Sequence, residues 1–276
     1  MVVPLQTGSE SKARMPVGGT IETISRQNVC LYATYDEGLA ADISRGDPEP
    51  TVNRLLVRHD PVGGRFGGRM VVDARDNEWA EDEIRYRAPG NFPYTSPGSG
   101  AGFDGTISMW LQGDPDADLN NEFPVDPFHI SRHSADASFY LDLTRPNDWR
   151  YGSPRRLRFG FYGDSPAQNM FEGGWLLVAG ELGWDDQQWH QVVGTFQNAN
   201  SSADDARAAL YIDGQLRATM AGYQHTLTWD IESLGIGLGQ RYVGSIDDLL
   251  ILDRALSAEA VAGLFRSDQP AAVAWA

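Results

Sequence analysis

The sequence has almost no lysine. Lys12 is the single one, against 21 arginines. That skew reflects a GC-rich coding sequence rather than a function. Cysteine is equally scarce: Cys30 stands alone, so no intrachain disulfide and no disulfide framework can form. Cys30 lies in an apolar run and reads as a buried, inert thiol. No apolar stretch is long enough to span a membrane. Residues 1–19 carry no apolar signal core, so either an export signal has been removed or none was used. Positive charge is in deficit overall. A net charge of −16 argues against binding a phosphate backbone. It fits a well-solvated surface, and also one that attracts divalent cations.

What is present points to β-structure. The 276 residues include 30 Gly and 15 Pro, and 41% are hydrophobic, enough for a core. Turn signals recur between short apolar segments, as in a loop-rich sandwich. Thr106 to Leu111, Phe128 to Arg132, Ser138 to Leu143, Arg156 to Tyr162 and Trp189 to Phe196 read as strands. Asp213-Gly214 is a two-residue hairpin turn between Ala208–Ile212 and Gln215–Met220. Residues 74–88 fit either a short helix or a charged strand. The one clear helix starts after Ser257, which can cap it, and runs to Phe265. Residues 1–27 read as an extended N-terminal arm and residues 267–276 as a tail ending near Trp275. No repeat and no second domain is visible.

The most informative stretch is Gly244-Ser245-Ile246-Asp247-Asp248-Leu249-Leu250-Ile251-Leu252-Asp253-Arg254-Ala255-Leu256-Ser257. Side chains alternate along a strand, so one of Asp247 and Asp248 is expected to point inward. A buried carboxylate then needs a cation, a metal or several backbone donors. The simpler reading is that both aspartates begin the strand in solvent.

Together with Trp189-His190-Gln191-Val192-Val193-Gly194-Thr195-Phe196, Ala209-Leu210-Tyr211-Ile212-Asp213-Gly214-Gln215 and Leu234-Gly235-Ile236-Gly237, this stretch resembles the laminin-G-like, concanavalin A-like jelly roll. The order of the pieces carries the resemblance: a Trp-His strand, a Tyr-hydrophobic-Asp-Gly hairpin, an Ile-Gly strand and a Gly-x-Ile-Asp-Asp closing strand. Leu31 to Gly38, Gly63-Gly64-Arg65-Phe66-Gly67-Gly68 and Thr106 to Leu111 extend it to residues 28–266. The implied fold class is an all-β, two-sheet antiparallel jelly-roll sandwich with one short C-terminal helix. In such domains a structural calcium often ties the first strand to the closing strand. The resemblance implies ligands from Asp247, the Asp36 region and nearby backbone carbonyls, with Asp248 as the alternative ligand.

Enzymatic sites are poorly represented. Hydrolases of this fold carry a Glu-x-Asp-x-Glu strand, and retaining glycosidases need two carboxylates about 5 Å apart. Glu81-Asp82-Glu83 is too compressed, because pleating sends Asp82 away from its neighbours. His129 and His133 are four apart on a segment that reads as a strand, about 13 Å, too far to share a metal. No Ser-His-Asp or Cys-His set emerges from spacing. Asp114, Asp116 and Asp118 alternate like part of a calcium loop, but the Gly and distant Glu of an EF-hand are missing. Sugar binding uses exposed aromatics with polar neighbours. Trp149, Tyr151, Trp175 and Trp184 lie in or beside loops and are the candidates; Trp110 and Trp189 sit on strands and read as core.

The expectation is therefore a non-catalytic recognition or adhesion module, extracellular or on a virion surface, that binds a glycan or cell-surface polysaccharide. One alternative is a structural subunit of a virion or extracellular filament, with residues 1–27 contacting copies of itself or other subunits. The other is a glycan-active enzyme with an unrecognised site. Neither nucleic acid nor a membrane span is expected.

Overall fold

The computed structural model describes residues 24–75, 84–117, 123–131, 139–161, 176–224 and 226–271. Sixteen strands follow in chain order. The first eight are β1 (Val29–Ala33), β2 (Ile43–Ser44), β3 (Thr51–Val52), β4 (Val57–Asp60), β5 (Arg69–Asp73), β6 (Ile84–Arg87), β7 (Phe103–Gln112) and β8 (Val125–Ser131). The rest are β9 (Phe139–Leu143), β10 (Leu157–Phe161), β11 (Leu176–Val178), β12 (His190–Ala199), β13 (Ala206–Ile212), β14 (Gln215–Tyr223), β15 (Gly235–Gln240) and β16 (Val243–Leu252). The helix α1 spans Ala258–Arg266.

The strands form two antiparallel sheets. One has nine strands in the order β14-β13-β12-β7-β16-β1-β2, with β5 also paired to β16 and β4 to β5. The other has seven, β11-β10-β9-β8-β15-β6-β3. Residues 74–88 resolve at their end into a strand, β6, which pairs with β15; residues 76–83, with Glu81-Asp82-Glu83, lie outside the described residues. Alternation sends Ile107, Met109 and Leu111 of β7 into the inter-sheet core to meet Phe139, Leu141 and Phe159 of the facing sheet. Cys30 is part of this core, and burial pushes its thiol up to about 12.

A second apolar layer lies under α1. Ser257 caps the helix by accepting a hydrogen bond from the Ala260 N–H at 3.2 Å. Its buried face, Ala260, Val261 and Leu264, covers Tyr32, Val193, Leu250 and Leu252 on the outer side of the nine-stranded sheet. Ile24, at the end of the expected arm, is buried in the same cluster; residues 1–23 and 272–276 lie outside the described residues. The Asp213-Gly214 turn has φ of 52° and 70° at its two residues, as a type I′ hairpin requires.

Candidate functional site

Two places in the fold gather polar groups that the core cannot explain. The first is the middle of β16. On one side this strand pairs with β7 throughout, but on the other its neighbour changes. Val243 to Ile246 pair with β5, whereas Leu249 to Leu252 pair with β1. Asp247 and Asp248 fall at the change. Asp247 faces Trp110 and Leu250 faces Ser108, so Asp248 and Leu249 together oppose Met109. This is a β-bulge, with Asp248 in the left-handed region at φ 50°. The bulge overrides simple alternation. Ile246 and Leu249 both enter the inter-sheet core, and both aspartates are buried, 1% and 5% exposed.

The two carboxylates meet different partners. Asp247 Oδ2 accepts hydrogen bonds from the Arg65 N–H at 2.6 Å and the Phe66 N–H at 3.1 Å, and Oδ1 accepts from the Asp248 N–H at 2.7 Å. Asp36 Oδ1 accepts from the Gly68 N–H at 2.8 Å. The loop of residues 63–68 is thus held by a carboxylate from each side. Gly64 must lack a side chain here, because a Cβ would stand 1.8 Å from the Gly68 carbonyl oxygen and 2.8 Å from Asp247 Oδ2. Asp248 accepts from the Tyr32 hydroxyl and, at 3.3 Å, from the Ala271 N–H. Burial, with Asp248 beside it, pushes Asp247 up to about 7; burial also raises Asp248 to about 6.

The fit of this site to calcium is partial. Asp36 and Asp247 flank one loop, against the six to eight oxygens calcium takes. Among the described residues no three of His, Cys, Asp and Glu gather to hold a metal.

The second place is the outer face of the seven-stranded sheet. His129 of β8 faces Tyr140 of β9, which faces Gly160 of β10. In the next row Asp142 faces Arg158. His129, Tyr140, Asp142 and Arg158 are all buried, yet their strand neighbours Ile130, Phe139, Leu141, Leu143 and Phe159 occupy the core side. Arg158 Nε donates to Asp142 Oδ1 at 2.7 Å, and its terminal nitrogen pairs with the other oxygen. Burial pushes Asp142 up to about 6, opposed by the Arg158 guanidinium, and the carboxylate holds Arg158 charged.

This face runs into the β9–β10 loop, residues 144–156. The loop is tied by its own side chains. Asp148 Oδ1 accepts from the Arg150 N–H at 2.9 Å and the Tyr151 N–H at 3.2 Å, and the Gly152 N–H donates to the Asp148 carbonyl at 2.7 Å. Asn147 and Ser153 close it through two bonds of 3.0 Å. At its base, buried Arg155 donates to the Thr144 carbonyl at 2.7 Å and the Phe123 carbonyl at 3.2 Å. The tip presents Trp149, 70% exposed, with the Arg150 guanidinium 4.8 Å from its ring centre.

The other aromatic candidates separate. Tyr151 is half-buried beside Trp149. Trp184 is 8% exposed and stacks on His190 with ring centres 4.6 Å apart, so it packs at the edge of the core. Trp175 lies outside the described residues. Trp110 is buried, but beneath α1 against Phe265 rather than between the sheets. Trp189 is half-buried. In the acidic loop, Asp114 Oδ1 accepts from the Asp116 and Ala117 N–H groups at 2.9 Å, and Asp116 Oδ1 from the Arg155 N–H at 2.9 Å; Asp118 lies outside the described residues. His129 sits on a strand as expected, and His133 lies outside the described residues.

A family model, Laminin_G_3 of the concanavalin A-like lectin/glucanases superfamily, matches residues 94–262. The chain belongs to this superfamily. Within the match lie the bulged aspartates, the Trp149 hairpin and the His190–Asp213 pair, in which His190 Nδ1 and Asp213 Oδ2 are 2.8 Å apart. Asp213 Oδ1 also accepts from the Gln191 N–H at 2.9 Å, so the Trp-His strand and the Asp-Gly turn of the superfamily pattern are joined in space.

Solved structures with the same fold include domain 4 of AbnA, a GH43 extracellular arabinanase from Geobacillus stearothermophilus, in complex with arabinotriose. It is 17% identical, with 87% of this chain and 98% of that chain covered and a TM-score of 0.55. The binding domain of Paraclostridial Mosquitocidal Protein 1 is 15% identical, with 87% and 52% covered and a TM-score of 0.56. The receptor binding domain of botulinum neurotoxin D is 13% identical, with 87% and 52% covered and a TM-score of 0.57. The chain spans about half the length of these toxin domains. Comparison with curated proteins gives no match. Among the described residues no helix is long and apolar enough to cross a membrane.

Sequence reasoning missed the polar outer face of β8–β10. Its signal was available: Tyr140, Asp142, Arg158 and Gly160 interrupt two apolar strands at every second residue. A solvated sheet face gives the same pattern, so only burial distinguishes the two.

Proposed function

We propose that this superfamily member is a non-catalytic carbohydrate-recognition module that acts outside the cell. The observation that carries the reading is Trp149, a large apolar ring 70% exposed at the tip of a loop tied by Asp148, Asn147 and Ser153. An exposed indole normally costs hydration free energy, and an aromatic on a rigid support loses little entropy when a sugar ring stacks on it. Tyr151, half-buried in the same loop, is placed to orient hydroxyl groups. Solved domains of the same fold support the reading: the arabinanase domain is in complex with arabinotriose, and a ligand binding domain of botulinum neurotoxin serotype D is in complex with N-acetylneuraminic acid. A binding rather than catalytic role is supported by the pairing of Asp142 with Arg158 instead of with a second carboxylate. The test is a glycan array followed by calorimetry. Trp149→Ala is expected to abolish binding of the array hits while leaving the melting temperature within about 1 °C, since little packing is lost at an exposed site. Undiminished binding by that variant would remove Trp149 from the site.

A structural calcium between the Asp36 end of β1 and Asp247 is a second part of the proposal. It is supported by the grouping of buried acid: among the described residues the partners of Asp247 are backbone N–H groups, with no side-chain cation, and Asp248 adds repulsion. Asp36 and Asp247 would hold the ion, which would supply the missing positive charge. Its test is a melt at pH 8 with calcium and with a chelator; a higher melting temperature in calcium, lost in Asp247→Asn, is expected. Equal melts would remove the ion from the account.

A further inference from the structure

Among the described residues the two sheets end on β2, β3, β4, β11 and β14. A strand at a sheet edge presents a row of unpaired N–H and C=O groups, a template for another strand. β2 and β3 limit this by having two residues each, and β11 by having three. β4 has four, but Arg58 and Asp60 put charge on it, and His59 Nε2 lies 2.8 Å from the Tyr35 carbonyl oxygen. β14 is different. It runs for nine residues, and among the described residues only β13 pairs with it.

The centre of β14 lacks the usual protection of an edge. The strand has no proline, and Arg217 is its only charged residue in a chain of net charge −16. Gln215, Leu216, Arg217, Thr219, Ala221 and Gly222 are exposed, so no other element covers them. Two bulges flank the centre: Arg217 and Gly222 are the extra residues against β13, with Gly222 at φ 80°. A bulge twists an edge away from a partner, which protects the two ends of the strand. Between the bulges, Ala218 to Ala221 face Leu210 to Arg207 in unbroken register. A regular four-residue window therefore stays open in mid-strand.

From this edge we infer that the chain forms a two-fold dimer in which β14 pairs antiparallel with β14 of a second copy. An antiparallel edge is its own complement under a two-fold axis, so a second copy fits it without any other sequence. Charge favours the same occupant. Residues 215–223 hold no carboxylate, so two acidic chains can meet there without opposing acids. Directly opposed residues share a face of the sheet, so the axis passes through one residue pair. Centring it on Thr219 sets Arg217 opposite Ala221 of the second copy and keeps the two Arg217 side chains apart. The open window is short, so the interface is small and the dimer forms and dissociates with concentration. The dimer does not depend on what Trp149 binds, but it carries two Trp149 loops, which strengthens attachment to a repeating polymer.

The experiment is sedimentation equilibrium of the full chain over a concentration series, at low and at high salt. A monomer–dimer equilibrium is expected. Salt should tighten it, because salt screens the repulsion between two chains of net charge −16. Thr219→Lys opposes two ammonium groups across the axis and should weaken the dimer by about tenfold or more at low salt. Its melting temperature, measured where wild type is monomeric, should match wild type, because the position is exposed. A monomer at every concentration overturns the inference, and so does a dimer that the lysine leaves intact. Should the lysine variant not fold, Thr219→Cys decides. Opposed Cα atoms in an antiparallel pair lie about 4.5–5.5 Å apart, within disulfide reach, and Cys30 is buried. A cross-linked dimer on mild oxidation supports the pairing, and its absence overturns it.

Discussion

In a chelating buffer, raising the pH from 5 to 8 will destabilise this protein, and Asp247→Asn will remove about half of that loss, the rest coming from Asp142 and Asp248. Burial holds Asp247 near 7 in the folded chain, against an ordinary value of 3.8. Between those values the native state keeps a proton that the unfolded state has released, so stability falls as pH rises. Full ionisation costs roughly 4 kcal/mol on this basis, of which about 2.5 kcal/mol falls between pH 5 and 8. For a domain of this size that is about 5–10 °C in melting temperature. The variant has its own cost. An amide nitrogen must face one of the N–H groups that Asp247 accepts from, Arg65 and Phe66 on one oxygen or Asp248 on the other. That costs about 1 kcal/mol, without pH dependence. The wild-type curve should therefore fall by about 2.5 kcal/mol more than the variant's between pH 5 and 8, with the variant the more stable at pH 8. Differential denaturation at four pH values measures this, and subtraction cancels Asp142, which both proteins share. Parallel curves would refute the claim that Asp247 resists ionisation.

Three further outcomes follow from the packing. Gly64→Ala should destabilise by more than about 1 kcal/mol in chemical denaturation, because its Cβ would meet the Gly68 carbonyl at 1.8 Å and the loop must shift away from Asp247. Arg158→Ala should cost about 3–5 kcal/mol, since it leaves the buried Asp142 carboxylate without its cation; Arg158→Ala combined with Asp142→Ala should recover part of that loss. Tyr32→Phe removes the hydroxyl donor to buried Asp248 and should cost about 1–3 kcal/mol at pH 8, less at pH 5, where Asp248 takes up a proton more readily.

Much of the fold was legible in the sequence because it depends on local rules. The Asp213-Gly214 turn, the Ser257 cap and the strands Thr106 to Leu111 and Trp189 to Phe196 are set by residues adjacent in the chain, and the structure has each of them. The order of those pieces was enough to identify the superfamily. Alternation failed at Asp247-Asp248 because a bulge is a property of two paired strands: the extra residue exists only relative to β7. Trp149 and Trp184 are alike as sequence, both in polar, turn-rich stretches. What divides them is His190, brought from β12 onto the Trp184 ring, while the ring of Trp149 is left in solvent at the end of a hairpin.

The sequence by itself determined the class of architecture, the single inert thiol and the overall negative charge, since periodicity, composition and charge are sums over the chain. Tertiary structure decided where that charge is compensated. Arg158 finds Asp142 across two strands, Asp247 finds the backbone of a loop about 180 residues earlier, and the Arg150 guanidinium settles over the exposed Trp149 ring. Those pairings depend on strand register and loop closure, which bring distant residues to within 3 Å and cannot be read from either residue's neighbours.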